Sequence, residues 1–185
     1  HPKYVEPQHP IVFLPWDSNQ FIYWSQRDGF HHLYLYNKEG QLIKQLTQGD
    51  WLVQDILGFN TARKEMIIAS TEISPLQTNI FTVNVKTGKR TLLGQQDGTH
   101  SARLSASGTY LIDNFTSFNV PREISILPTN GKTGVNLLTA TDPMKEQYNL
   151  PEITLGTIKA ADGKTDLYYR LIKPVNFDPN KKYPA

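Results

Sequence analysis

Hydrophobic and polar positions along this chain alternate with a period of two, broken by short apolar runs, and the helical period is almost missing. The pattern comes in three rounds. In the first, the apolar run Ile11–Leu14 leads to a turn at Asp17-Ser18-Asn19. Strands follow at Phe21–Ser25, His32–Tyr36 and Leu42–Leu46, joined by the Asp28-Gly29 hairpin signal and by Lys38-Glu39-Gly40. The second round runs Val53–Phe59, Met66–Thr71, Asn79–Val85 and Arg90–Leu93. The third runs Ser101–Leu104, Tyr110–Asp113, Glu123–Leu127 and Val135–Leu138.

Matching landmarks recur at Ser25, Ser70 and Asn114, at Gly40, Gly88 and Gly131, and at Leu46, Leu93 and Leu138. Four strands repeating at intervals of roughly 40–45 residues are the signature of β-propeller blades. Ile67-Ile68, Ile80–Val83 and Leu111-Ile112 are apolar on both faces, as a sheet covered on both sides requires. A β-sandwich of about a dozen strands would show similar turn spacing, but the triple period favours the propeller. The expected fold is all-β, a partial propeller of about three four-stranded blades at 10–50, 51–98 and 99–140. After Thr139 the pattern changes. Asp142-Pro143 predicts one helical turn, and Ala161-Asp162-Gly163-Lys164 predicts a hairpin between Glu152–Lys159 and Thr165–Lys173. Residues 141–185 read as a linker and hairpin leading toward a further domain that this sequence does not include.

Composition narrows the function classes. The net charge of +2 is too small for a nucleic-acid footprint, so no nucleic-acid partner is expected. The chain has no cysteine, which removes disulfide and thiol chemistry. It opens His1-Pro2-Lys3-Tyr4 with neither a Met nor an apolar leader, as an excised segment would. His31-His32 cannot share a metal ion from one strand, because adjacent side chains point to opposite faces. No metal or cofactor site is expected. Asp97, His100 and Ser101 lie close in sequence, but a catalytic triad needs three separately supported groups and a local turn does not provide them. No catalytic residue is assigned. The aromatic residues Tyr23, Trp24, Tyr34, Tyr36, Trp51 and Phe59 fall mostly on strands, where packing alone favours them. Asn114-Phe115-Thr116 is a glycosylation sequon of the kind chance supplies.

Three stretches carry a family resemblance. They are Tyr4-Val5-Glu6-Pro7, the segment from Asn19-Gln20-Phe21-Ile22-Tyr23-Trp24 and Ser25-Gln26-Arg27-Asp28-Gly29 through Leu33-Tyr34-Leu35-Tyr36, and Leu46-Thr47-Gln48-Gly49-Asp50-Trp51. They resemble the late propeller blades of the dipeptidyl peptidase IV family. Leu167-Tyr168-Tyr169-Arg170-Leu171-Ile172-Lys173-Pro174 and Asn176-Phe177-Asp178-Pro179-Asn180-Lys181-Lys182-Tyr183-Pro184 resemble the stretch where that family's chain enters its α/β-hydrolase domain. The resemblance implies a periplasmic or secreted serine exopeptidase that removes X-Pro or X-Ala dipeptides from peptide N-termini. These blades would wall and gate its substrate cavity, and the Ser, His and Asp would lie beyond Lys181-Lys182-Tyr183-Pro184. The family's acidic pair for the substrate amine has no Glu-Glu counterpart here. Tyr4 is the one candidate residue for the substrate-pocket rim, a frayed terminus being the other reading. The implied partners are peptide substrates and the remaining blades and hydrolase domain of the same protein. Self-association through exposed blade faces is expected of this piece alone. A non-catalytic propeller binding module remains the alternative.

Overall fold

The computed structural model describes residues 9–95, 97–118 and 120–184, and the chain divides into two compact units that meet in sequence between Ala140 and Thr141. The first unit contains three four-stranded antiparallel sheets, each a meander in chain order. Blade 1 is β1 (Val12–Leu14), β2 (Asp17–Ser25), β3 (His32–Asn37) and β4 (Leu42–Gln45). Blade 2 is β5 (Val53–Asn60), β6 (Glu65–Ser70), β7 (Asn79–Asn84) and β8 (Arg90–Leu93). Blade 3 is β9 (Thr99–Leu104), β10 (Tyr110–Thr116), β11 (Glu123–Pro128) and β12 (Val135–Thr139). These are the propeller blades that the repeat predicts.

The blades are joined through the middle one. All six residues of β6 are buried, and so are five of the six in β7. Strand side chains alternate between faces, so β6 serves two cores. Met66 and Ile68 join Phe81 and Val83 against Ile22, Trp24, Leu33 and Leu35 of blade 1. Ile67 and Ala69 join Ile80 and Leu93 against Leu111 and Leu127 of blade 3. The approach is close enough to exclude side-chain atoms. At Gly58 (φ +142°) a Cβ would lie 2.8 Å from Leu104 Cδ2, and at Gly108 (φ +69°) one would lie 2.1 Å from the Phe59 carbonyl oxygen. Glycine meets both demands there, the backbone conformation and the missing volume.

Two features differ from the sequence reading. Asp17-Ser18-Asn19 is not a turn: β2 begins at Asp17, and the chain reverses at Pro15-Trp16 instead. Leu14 pairs with Asp17 beside a bulge, and the Asp17 carboxylate accepts the Asn19 N–H at 3.0 Å, so the polar cluster is satisfied within the strand. Ile112 is also not buried. It is 44% exposed on the outward flank of blade 3, whereas Leu111 is 1% exposed at the seam with blade 2. Blade 1 has an uncovered flank of its own, where Phe13 is half exposed and Phe21 stacks on Tyr36 at 5.6 Å.

The second unit holds one helical turn, α1 (Pro143–Gln147), with Pro in its first turn and no side-chain cap from Asp142. A hairpin follows, β13 (Ile153–Lys159) and β14 (Asp166–Ile172). Its turn is held by Asp162, whose carboxylate accepts the Lys164 and Thr165 N–H groups and the Thr165 hydroxyl. Those bonds, the Thr165 hydroxyl first, set the Asp162 carboxyl below its ordinary value. Tyr169 lies across its rung partner Gly156, where a Cβ would sit 2.4 Å from the Tyr169 hydroxyl. A two-stranded ribbon is marginal alone, and every residue of β14 is exposed.

Ile68→Ala is expected to cost about 2–5 kcal/mol in urea unfolding and Ile112→Ala less than about 1 kcal/mol, because only the first leaves a cavity in a two-sided core. Equal costs would contradict the seam assignment. The uncovered flanks of blades 1 and 3 also predict concentration-dependent self-association of the isolated chain. Sedimentation as a monomer at every concentration would contradict it.

Candidate functional site

In every blade, the loop joining the second and third strands opens on the same rim as the connection to the next blade, because the meanders run in one sense. The described chain enters at this rim with His9. The His9 ring stacks on Trp24 at 4.4 Å and meets His31 edge-on at 5.7 Å. The His31 ring is also reached by the Gln26 amide. Trp24 is 5% exposed and belongs to the seam between blades 1 and 2. Tyr4 lies outside the described residues.

The adjacent histidines part company. His32 is 1% exposed. Thr47 Oγ accepts the Leu33 N–H at 3.0 Å and contacts His32 Nδ1 at 3.1 Å, while His32 Nε2 donates to the Gly49 carbonyl at 2.9 Å. Trp51 closes over His32 edge-on at 5.0 Å. Arg90 lies over the Trp51 ring at 5.2 Å and forks onto the Glu72 carboxylate. A histidine ring, a tryptophan and an ion pair thus hold the loop between blades 1 and 2.

The second seam has its own histidine. His100 Nε2 donates to the Gln95 carbonyl at 2.8 Å, and Nδ1 shares a hydrogen bond with Asp113 Oδ2 at 2.7 Å. Its backbone N–H donates to the Thr78 carbonyl of blade 2 at 2.9 Å. The side chains of this pair are 0% and 3% exposed. The structure therefore separates Asp97, His100 and Ser101. His100 is oriented by Asp113, while Ser101 is exposed on the opposite face of β9. Asp113 is separated from His100 in the chain by the turn of the β9–β10 hairpin. Its only signal is a charged residue between Ile112 and Phe115 on a strand that is otherwise largely apolar. Among the described residues no hydroxyl nucleophile sits against a ring nitrogen of His100. No group of three His, Asp or Glu side chains among them could hold a metal ion.

The aromatic residues pack as the strand positions suggest. Trp24 and Tyr34 are buried, and Trp51 and Phe59 are partly buried against the first core. Arg27 lies 4.2 Å over the Tyr34 ring and donates to the Tyr36 hydroxyl at 2.7 Å. The Tyr34 hydroxyl donates to Asp28 at 2.6 Å, and Gln45 donates to the same carboxylate oxygen at 3.0 Å. Burial first, then the bond to Asp28 and its charge, push the Tyr34 phenol up from its ordinary value of 10.0. A phenol raised on folding favours the protonated form, so its stabilising share is whole below pH 10 and is lost as pH rises beyond it. Relative to Tyr34→Phe, the parent chain is expected to lose up to about 1.4 kcal/mol per pH unit above that point. Parallel stability profiles of the two proteins in alkali would contradict this.

Sequence and structure comparisons agree with this arrangement. Residues 1–122 match the dipeptidyl peptidase IV (DPP IV) N-terminal region. Dipeptidyl peptidase 4 of Arthroderma otae is 33% identical over 167 residues, covering 87% of this chain and 21% of its own length. That of Trichophyton equinum is 31% identical over 166 residues, with the same coverage. A Bacteroides ovatus protein described as a dipeptidyl aminopeptidase IV superposes with a TM-score of 0.89 at 49% identity, over 100% of this chain and 29% of that one. Porphyromonas gingivalis dipeptidyl peptidase 4 superposes at 0.78 with 28% identity, over 94% of this chain and 24% of that one. The chain thus spans about a fifth of the length of these fungal relatives, and it belongs to the family of the dipeptidyl peptidase IV N-terminal region.

Proposed function

We propose that this chain is the blade wall of a serine dipeptidyl peptidase that releases X-Pro or X-Ala dipeptides from peptide N-termini. The observation that carries this reading is the superposition of the whole chain on the Bacteroides ovatus protein at 49% identity. In this reading the Ser, His and Asp belong to another part of the full protein, since His32 and His100 are committed to structural partners. The blades limit which peptides reach those groups, and their stiff seams suit that task. Tyr4, five residues before His9 in the chain, contributes an aromatic face at the substrate-pocket rim in this reading. The compartment that suits the reading is the periplasm or the outside of the cell.

A Gly-Pro chromogenic substrate tests the proposal. The 185-residue chain alone is expected to be inactive, and the longer natural protein containing it to be active. In that longer protein, Tyr4→Ala should raise KM about tenfold and leave kcat within about twofold, as loss of a binding contact does. Turnover by the purified 185-residue chain, or none by the longer protein, would overturn the assignment; an unchanged KM would remove Tyr4 from the rim.

A further inference from the structure

The two ends of the three-blade unit carry opposite charge. The loops on the His9 rim hold Asp28, Asp50, Glu72 and Asp97 against Arg27 and Arg122. The opposite rim is made by the turns between first and second strands and between third and fourth strands. Those turns hold Lys38, Arg63, Lys64, Lys86, Lys89 and Lys132, all of them exposed. Their acidic neighbours are Glu39 in the same turns, and Asp17 and Glu65 where β2 and β6 begin. Arg63 forks onto Glu65, so this pair cancels. Lys44 adds a further ammonium, which reaches the Lys86 carbonyl across the first seam at 3.0 Å.

Neighbouring blades do not cover this end. Blade 2 has a sheet packed on each of its faces. Lys64, Lys86 and Lys89 in its turns are nevertheless exposed. The chain also enters β1 and leaves β12 at the His9 rim, so the segments that connect these blades to others depart from there. The repeat keeps a lysine at the basic end. In each blade a turn with one left-handed glycine joins the third and fourth strands, at Gly40 (φ +80°), Gly88 (φ +76°) and Gly131 (φ +77°). Lys38, Lys86 with Lys89, and Lys132 stand in those turns. In the turn before β6, Lys64 itself adopts φ +56°, a conformation that glycine takes without strain and lysine does not. Lysine thus stands where the backbone alone would suit glycine.

We propose that this rim rests on an anionic lipid surface, with its lysine ammonium groups against phosphate headgroups. The cations sit on turn tips at one end of three adjacent sheets, so they are spread over an area and do not converge on a point. The groove of about 440 Å³ between β8 and blade 3 takes in Lys132 alone of them, and Glu123 lines it too, so it is no anion pocket. Ammonium groups on flexible stems act as point charges, which suits a charged surface better than paired recognition of one anion. The aromatic side chain in these turns, Trp16, packs edge-on against Phe59 at 5.6 Å. The contact is therefore electrostatic, without insertion into the bilayer. The proposal goes beyond the peptidase reading and does not depend on it.

The test is co-sedimentation of the longer natural protein with vesicles of phosphatidylglycerol and phosphatidylcholine in about equal parts, and with vesicles of phosphatidylcholine alone. The longer protein is used so that its further blades cover the apolar flanks of blades 1 and 3. At low ionic strength, binding to the anionic vesicles is expected to be at least about tenfold tighter, and to weaken as salt is added. Lys86→Gln and Lys89→Gln together should weaken it about tenfold or more, and Lys132→Gln alone about threefold. Lys86→Arg with Lys89→Arg should retain it, and Arg122→Gln on the His9 rim should leave it unchanged. Equal binding to the two kinds of vesicle, unaltered binding by the folded lysine-to-glutamine variants, or an equal loss in Arg122→Gln would overturn the proposal. So would binding of soluble oligoglutamate at this rim by a protein that ignores the anionic vesicles, which would assign the surface to a protein partner.

Discussion

The three sheets hold together because one strand, β6, is buried on both of its faces. Met66 and Ile68 complete the core shared with blade 1, and Ile67 and Ala69 complete the one shared with blade 3. Neither outer sheet covers both of its own faces, so each depends on the middle one for its core. Apolar burial at about 25 cal/mol per Å² is non-directional, however, and by itself would let the sheets slide or rotate on each other.

Direction comes from polar contacts at the two rims of each seam, several of them buried. At the second seam, His100 joins the β8–β9 connection to Asp113 on one rim. On the other rim Asn60 of blade 2 donates to Thr129 of blade 3 at 3.1 Å, and the Thr129 hydroxyl donates to the Gly108 carbonyl at 2.9 Å. At the first seam the His31 carbonyl accepts the Val53 N–H at 2.9 Å, and Lys44 reaches the Lys86 carbonyl at 3.0 Å. A buried polar group that loses its partner costs about 1–3 kcal/mol, so a slipped seam would be penalised at each of the buried contacts. The rim loops are therefore fixed by the same contacts that fix the blades.

Much of this was legible from residues. The triple period named the blades, and positive-φ glycines stand where turns were expected, at Gly29, Gly40, Gly88 and Gly131. The two-faced apolar strands named the middle of the stack correctly at Ile67, Ile68 and Ile80–Val83. The same inference failed at Ile112, because apolar character records what a strand could bury and not which neighbours are present. Asp17-Ser18-Asn19 misled for a different reason: a side-chain bond to the backbone satisfies a strand edge as well as a turn. The His100–Asp113 pair was beyond reach, since its partners meet only after the β9–β10 register is set.

Blades 2 and 3 can be compared rung by rung. A repeat is informative where it holds, because shared positions show what every blade needs. It is more informative where it breaks. Gly58 and Arg103 occupy matching rungs, yet one yields volume to a neighbour and the other occupies it. Gly58 is held bare by the sheet beside it, whereas Arg103 stands on a flank that no sheet covers among the described residues, so the break in the repeat records which neighbour each rung has.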